Sequence, residues 1–149
     1  MARVEANVVI NRPLEEVFAF ASNPENDMEW ESDVSEVEKT SEGPIGVGTT
    51  YRGVMHFLGQ RIDWTLEVIG YDLNRKVEFK IDAGPLQLEE TVTFEPVDGG
   101  TRVTAVYEGD PGGFFKLAVP VVVRMFQGQI QGNLDNLKSV LEARAEAAG

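Results

Sequence analysis

A single acidic residue, Glu90, interrupts an otherwise apolar face of a predicted strand. Glu90 has the same two-residue phase as Leu88 and Val92, so the three side chains should point to one side of the strand. An ionised carboxylate is unfavourable in apolar surroundings, so Glu90 must be hydrated, hydrogen-bonded or protonated there. A local bulge, or a strand end open to water, would instead turn the side chain outward. Both interpretations stay open at this point.

Two tyrosines, Tyr51 and Tyr107, fall on the inward-facing phase of other predicted strands. A phenol hydroxyl can donate a hydrogen bond to a carbonyl oxygen and so hold a bound molecule in place. Ordinary packing in the core is the alternative for each tyrosine.

Other chemistries find little support in the residue types. The sequence has no cysteine, which excludes disulfides and thiolate chemistry. Its one histidine, His56, falls on the predicted outer face, and no serine lies in a nucleophile-elbow pattern. The glycine-rich stretch 43–48 lacks the ending of a phosphate-binding loop and is interpreted as a turn. We therefore expect neither a metal site nor a cofactor.

The charge pattern is strongly acidic, with a net charge of −12. Acidic and basic residues balance within 110–149, so the whole excess lies in residues 1–109. Such a charge disfavours nucleic acid as a partner and is typical of a solvated acidic surface. No segment is apolar over a length that could span a bilayer, and the N-terminal residues lack an apolar signal core. We expect one cytoplasmic domain, 1–149, with no stable membrane insertion.

Alternating apolar residues from Val4 to Ile10 predict a first strand, and Pro13 with Glu15 and Glu16 predicts a helix directly after it, near 13–22. A short second helix is predicted over 24–30. Turn residues then separate a series of strands, which short connections arrange as an antiparallel meander. The predicted strands lie near 34–40, 48–57, 60–71, 76–82, 86–96 and 101–109.

One hairpin register follows from its turn. If Leu58 and Gly59 form a two-residue turn, Phe57 lies opposite Gln60. The pairs on one face are then Met55–Ile62, Gly53–Trp64 and Tyr51–Leu66, and those on the other are His56–Arg61, Val54–Asp63 and Arg52–Thr65. The missing side chain of Gly53 would leave space for the Trp64 indole.

The C-terminal part changes to helical spacing, shown by Ile130, Leu134, Leu137 and Leu141. Pro120 interrupts the apolar stretch 114–126, so we expect a short helical piece before it and a long helix from there to about Arg144. Phe114, Phe115 and residues 119–123 are too apolar for a free surface. They could belong to the core, to a lid over a pocket, or to a self-association patch.

The order of these features resembles the START-like (SRPBCC) superfamily, which includes polyketide cyclases, aromatases, lipid carriers and birch-pollen allergen-like proteins. The resemblance rests on the junction 13–18 (PLEEVF), on Trp30, on 100–104 (GTRVT) before the last strand, and on the terminal helix. It implies an α+β helix-grip fold: a seven-stranded antiparallel sheet wrapped around a long C-terminal helix, with two short helices after strand 1.

The resemblance also implies a cavity between the sheet and the terminal helix. In that cavity Glu90 would orient the polar end of a ligand or act as a general base with a raised pKa. The candidate catalytic residues are Glu90, Tyr51 and Tyr107. The candidate ligand-binding residues are Trp30, Tyr51, Met55, Trp64, Leu66, Phe79, Leu88, Glu90, Tyr107, Phe126, Gln127, Ile130 and Gln131.

Several of these residues have an alternative role. Trp30 and Trp64 could form an aromatic wall or fill the core, and Gln127 and Gln131 could place their amides in the pocket or face solvent. Gly128 and Gly132, one turn apart, favour close packing of helix on sheet, with a widened cavity as the alternative.

Three functions remain. The first is binding of a small hydrophobic or aromatic molecule without covalent chemistry. The second is a cofactor-independent cyclase, aromatase or dehydratase in which Glu90 is the base and a tyrosine activates a carbonyl. The third is an interaction module in which the apolar stretch 114–126 forms a homodimer or docks a partner.

Overall fold

The computed structural model describes residues 2–57, 59–84, 86–110 and 119–148. Its elements follow the predicted order, and each lies close to its predicted position. They are β1 (Ala2–Ile10), α1 (Leu14–Ala21), a 3₁₀ helix (Pro24–Glu29), β2 (Val34–Lys39), β3 (Thr50–Phe57), β4 (Gln60–Asp72), β5 (Lys76–Ala83), β6 (Leu86–Val97), β7 (Gly100–Asp110) and α2 (Val119–Ala148).

The strands form one antiparallel sheet in the order β1-β7-β6-β5-β4-β3-β2. Strands β2 to β7 are neighbours in chain order, which confirms the predicted meander. β1 pairs with β7 at one edge of the sheet, from Ala2 opposite Gly109 to Ile10 opposite Thr101. The fold class predicted from the sequence, a helix-grip fold, is confirmed.

The β3–β4 hairpin has the predicted register, with Phe57 opposite Gln60 and Gly53 opposite Trp64. Gly59 has a φ of 75°, a left-handed conformation that glycine adopts readily in a tight turn. Leu58, the other predicted turn residue, lies outside the described residues. A Cβ atom at Gly53 would lie 2.3 Å from Cζ2 of Trp64, so glycine is needed there to admit the indole.

The core fills the space between the concave sheet and the helices. Ile130, Leu134, Leu137 and Leu141 of α2 are all buried, as their spacing predicts. On the other side of the core, the Phe18 ring of α1 meets the Phe94 ring edge to face, with 5.0 Å between centroids. α2 itself lies along the edge strand β1.

The boundaries of the helices differ from prediction where prolines occur. Pro13 caps α1, and its carbonyl oxygen accepts the amides of Glu16 and Val17, so the helix begins one residue later than predicted. α2 already includes Pro120 in its first turn, where the missing N–H loses no helical hydrogen bond. The predicted short piece before Pro120, with Phe114 and Phe115, lies outside the described residues.

The apolar residues at the start of α2 lie in two different environments. Val122 and Val123 line a cavity against the sheet, whereas Val121 and Met125 are exposed. Association through this surface stays a prediction. None of the described helices is both long enough and apolar enough to cross a membrane.

Candidate functional site

A cavity of about 150 Å³ lies between the sheet and α2 and is called the main cavity below. A smaller hollow of about 30 Å³, the inner chamber, adjoins it deeper in the core. Both are lined by the same central residues, so they form one continuous site. The shared residues are Asp27, Glu31, Leu66, Glu90, Tyr107, Ile130 and Asn133.

The walls of the main cavity are almost entirely apolar. The inward faces of β3 to β6 supply one wall and the first turns of α2 supply the other. These wall residues are Met55, Phe57, Ile62, Trp64, Ile81, Ala83, Leu86 and Leu88 on the sheet, and Val122, Val123, Phe126 and Ile130 on α2. The alternation of each strand places these side chains on one face, which explains why sequence phase could identify many of them.

Most of the predicted site residues meet at these two hollows. Met55, Trp64, Leu66, Leu88, Glu90, Tyr107, Phe126 and Ile130 line the main cavity, whereas Trp30 and Phe79 line the inner chamber. The Tyr107 and Phe126 rings meet edge to face with 5.1 Å between centroids, which connects the sheet to α2 across the site.

Gln127 and Gln131 do not line either hollow, contrary to the prediction. Their side-chain amides donate to the carbonyl oxygens of Glu5, at 2.6 Å, and Asn7, at 3.0 Å. β1 is an edge strand, so the carbonyl groups on its outer side have no partner strand and can accept these bonds. The two glutamines therefore attach α2 to the sheet edge.

Tyr51 is buried and lies opposite Leu66 on β4, but it lines neither the main cavity nor the inner chamber. Its hydroxyl group has no hydrogen-bond partner among the described residues. Burial, with the nearby acids Glu25 and Asp27, raises the pKa of Tyr51 to about 12. Strand phase predicted the face of Tyr51 correctly but could not give its position along that face.

Gly128 and Gly132 provide neither close packing nor a wider cavity. A Cβ atom added at either residue would meet no atom within 4 Å outside the helix's own nearby backbone, and both positions are exposed.

Glu90 points inward with Leu88, and the pairing of β6 with β5 and β7 continues across it without a shift. The bulge considered from the sequence is therefore not present at this position. Glu90 lies directly opposite Tyr107 on β7, where the phenol can donate to the carboxylate and lowers its pKa. A carboxylate accepts several bonds, so Glu90 would retain lone pairs for other donors.

Three further acids at the site were missed from the sequence: Asp27, Glu31 and Asp33. The amide of Glu31 donates to the carbonyl oxygen of Asp27 at 2.7 Å, and this turn brings the two carboxyl groups within hydrogen-bonding distance of each other. Asp33 accepts a bond of 3.0 Å from the Asn133 side-chain amide on α2. The four acids Asp27, Glu31, Asp33 and Glu90 are called the acidic floor below.

Burial dominates the electrostatics of the acidic floor. It raises the pKa of Glu90 to about 7, against the lowering effect of the Tyr107 hydrogen bond and with a further rise from Asp33. Burial and then repulsion from neighbouring acids, including Glu90, raise the pKa values of Asp27 and Glu31 well above their usual range. Burial and mutual repulsion therefore both favour the protonated forms of Asp27 and Glu31.

The pKa of Tyr107 is also raised well above its ordinary value, first by burial and then by the charge of Glu90. Tyr107 is therefore a neutral donor at physiological pH. Within the described residues no group of His, Asp or Glu side chains is arranged to hold a metal ion.

Comparisons with known proteins agree with this architecture. A family model described as "Polyketide cyclase / dehydrase and lipid transport" matches residues 1–142. The crystal structure of TTHA0849 from Thermus thermophilus is similar, with a TM-score of 0.81 and 25% identity over 95% of this chain and 99% of that one. No curated protein matches the chain significantly.

Two more distant structures share the fold. The Zhui aromatase/cyclase from Streptomyces sp. R1128 has a TM-score of 0.77 and 17% identity, covering 99% of this chain and 98% of that one. Ara h 8.0201 has a TM-score of 0.73 and 16% identity, covering 95% and 98%.

Proposed function

This chain belongs to the polyketide cyclase/dehydrase and lipid transport family, and from that premise we propose that it binds a small hydrophobic or aromatic molecule in the main cavity. The observation that carries the proposal is the cavity itself, whose walls are apolar on both the sheet side and the α2 side. A cavity of about 150 Å³ is large enough for an aromatic ring.

Burial of apolar surface supplies the affinity in this proposal. A ligand that loses roughly 200 Å² of apolar surface to water gains on the order of 5 kcal/mol before the cost of ordering is subtracted. The polar groups are confined to the acidic floor and Tyr107, so they set the orientation of the ligand.

A substitution that fills the cavity tests the proposal. Met55 lines the main cavity, so Met55→Trp should fill part of it and weaken the binding of ethylbenzene by about tenfold or more. Ethylbenzene binding is measured by NMR titration, and native mass spectrometry of gently purified protein shows whether a small molecule co-purifies at one copy per chain.

The matched control is Ile69→Trp, which adds the same ring at an exposed position outside the cavity. Its affinity for ethylbenzene should equal that of the wild type. Equal affinities in all three proteins would contradict binding in the main cavity.

A second function is favoured by Glu90 specifically. A carboxylate whose pKa is about 7 can take up a proton at neutral pH, and the neutral Tyr107 hydroxyl beside it can turn its single O–H from Glu90 to polarise a carbonyl oxygen. This pair would serve a cofactor-independent cyclase, aromatase or dehydratase. Tyr51, which lines neither hollow, has no part in this version of the mechanism.

One substitution distinguishes catalysis from simple binding. Glu90→Gln keeps the size and hydrogen-bonding shape of the side chain but removes the base, so turnover of a poly-β-ketone thioester should fall by about a hundredfold or more while its binding persists. A binding protein would show no turnover in either form. Turnover that survives in Glu90→Gln would exclude Glu90 as the base.

A further inference from the structure

The charged side chains that line the site are all acidic. Asp27, Glu31 and Glu90 line both the main cavity and the inner chamber, and Asp33 lines the main cavity. No Lys, Arg or His is among the described residues that line either hollow. The ion pairs of the described residues lie elsewhere and join partly or fully exposed side chains. An anionic ligand would therefore meet acids without any compensating base.

Glu90 provides evidence that is independent of the other three acids. It comes from β6 rather than from the segment after α1, it is only 9% exposed, and it faces both hollows. The Tyr107 hydroxyl lies opposite it on β7 and can donate to one of its oxygens. An ionised carboxylate can accept several bonds, so Glu90 retains acceptor capacity directed at the site.

Aromatic rings complete the surroundings of the inner chamber. Trp30, Phe79 and Tyr107 line it, and ring faces attract cations. Trp30 is only 9% exposed, and its Nε1–H has no hydrogen-bond partner among the described residues. This N–H needs an acceptor, which an ammonium group lacks, so Trp30 contributes only its ring to the argument for a cation.

We propose that the cavity selects a small amine, with its apolar part against the cavity walls and its protonated nitrogen at the acidic floor. This inference rests on the proposed function and adds the chemical class of the ligand. An ammonium group supplies up to three N–H donors and one positive charge, which match the free acceptors and the uncompensated acids. A carboxylate or phosphate group would find no basic partner there, and its charge would oppose ionisation of the same residues.

Binding of an amine should also release a proton. The titratable groups that face Glu90 are Asp27, Glu31, Asp33 and Tyr107, whereas β5 and α2 contribute the uncharged Phe79 and Asn133. An ammonium group beside these acids favours their ionised forms, so protons held in the free protein leave when the amine binds.

Three probes of similar size test the inference by calorimetry near neutral pH. Phenylethylamine is cationic, phenylethanol is neutral and phenylacetate is anionic. We expect phenylethylamine to bind about tenfold tighter than phenylethanol, and phenylacetate to bind about tenfold weaker than phenylethanol. The reason is that the charge of the probe interacts with a partly desolvated acidic floor. The amine titration, repeated in buffers of different ionisation enthalpy, should show proton release.

Two variants of equal charge localise the effect. Glu90→Gln should reduce the preference for amine over alcohol by about tenfold, whereas Glu89→Gln, on the exposed side of the same strand, should leave it unchanged. Proton release in the wild type requires no variant, so the inference remains testable if Glu90→Gln does not fold.

The outcomes separate the inference from the proposed function. Equal binding of all three probes, or tightest binding of phenylacetate, would overturn the amine inference but leave binding of apolar molecules intact. Failure of all three probes and of ethylbenzene would overturn both. An amine preference that Glu90→Gln does not change, without proton release, would also overturn the inference.

Discussion

Glu90 lies where an apolar wall meets a charged floor, and two opposing effects set its behaviour. Burial makes its ionised form unfavourable, whereas the hydrogen bond from Tyr107 stabilises that form. Burial is the larger effect, so Glu90 holds its proton up to about pH 7. The residue can therefore exist in either form under physiological conditions, which serves both a proton-transfer role and a role in binding a cation.

The strength of a charge interaction at this floor explains why the amine and acid probes should differ. Two unit charges about 4 Å apart interact with about 4 kcal/mol in surroundings of intermediate polarity, attractive for an ammonium group and repulsive for a carboxylate. Desolvation of the ligand's own charge opposes part of this attraction. A net difference of about tenfold, or about 1.4 kcal/mol, is therefore a modest expectation.

At the level of secondary structure, α2 contains two glycines that have no packing role. Replacing Gly132 with Ala should raise the free energy of unfolding by about 0.5–1 kcal/mol, because alanine has the higher helix propensity and its Cβ atom would meet no atom within 4 Å apart from the helix's own nearby backbone. Urea denaturation followed by circular dichroism measures the change.

Gly53→Ala provides the opposite case. Its Cβ atom would clash with the Trp64 indole and with the carbonyl oxygen of Glu36, each at 2.3 Å, so unfolding should become easier by about 1 kcal/mol or more, on the order of an overpacked core site. If Gly132→Ala were the destabilising change instead, the exposed position of Gly132 on α2 would be wrong.

The sequence predicted the elements well because each depends on local signals. Strand phase, turn residues and a short loop fixed the β3–β4 register, and the spacing of Ile130 and Leu134 identified the buried face of α2. The predictions for Gln127 and Gln131 failed because their partners are carbonyl groups of β1, more than a hundred residues away. Spacing within one helix does not contain that information.

The site was only partly predictable for a related reason. Glu90 and Tyr107 lie on regular strands, where an inward phase can be recognised. Asp27, Glu31 and Asp33 lie in a 3₁₀ helix and the residues after it, a segment without a clear period, so their charges suggested a solvated surface. Tertiary contacts with α2, among them the bond from the Asn133 amide to Asp33, hold this segment beside the cavity.

In the molecule as a whole, the excess acidic residues lie in two different environments. Most acids lie on the surface, where water and ion pairs with residues such as Arg52 accommodate them. The acidic floor is different because its acids line a cavity, with Glu90 buried and the other three half-buried, and lack a basic partner among the described residues that line the site. The stability of the free protein should therefore respond to pH in a direction opposite to that expected for well-paired carboxylates.

The raised pKa of Glu90 determines whether the stability of the fold increases or decreases with pH. In the folded protein the pKa is about 7, above its usual value of 4.5, so between these two pH values the folded state binds a proton that the unfolded chain has released. The stabilisation is fully present below about pH 4.5 and is lost as pH rises through 7, which amounts to on the order of 3 kcal/mol. Asp27 and Glu31, whose pKa values are also raised, act in the same direction.

Urea denaturation of the free protein at a series of pH values tests this prediction, with Glu90→Gln and Glu89→Gln as the informative pair. Because glutamine resembles the protonated acid at all pH values, the free energy of unfolding of Glu90→Gln should exceed that of the wild type increasingly as pH rises from about 5 to about 8. Glu89→Gln changes the net charge equally but lies on the exposed side of β6, so it should follow the wild type. Parallel curves for both variants would mean that surface repulsion, rather than the buried carboxyl of Glu90, controls the response of the molecule to pH.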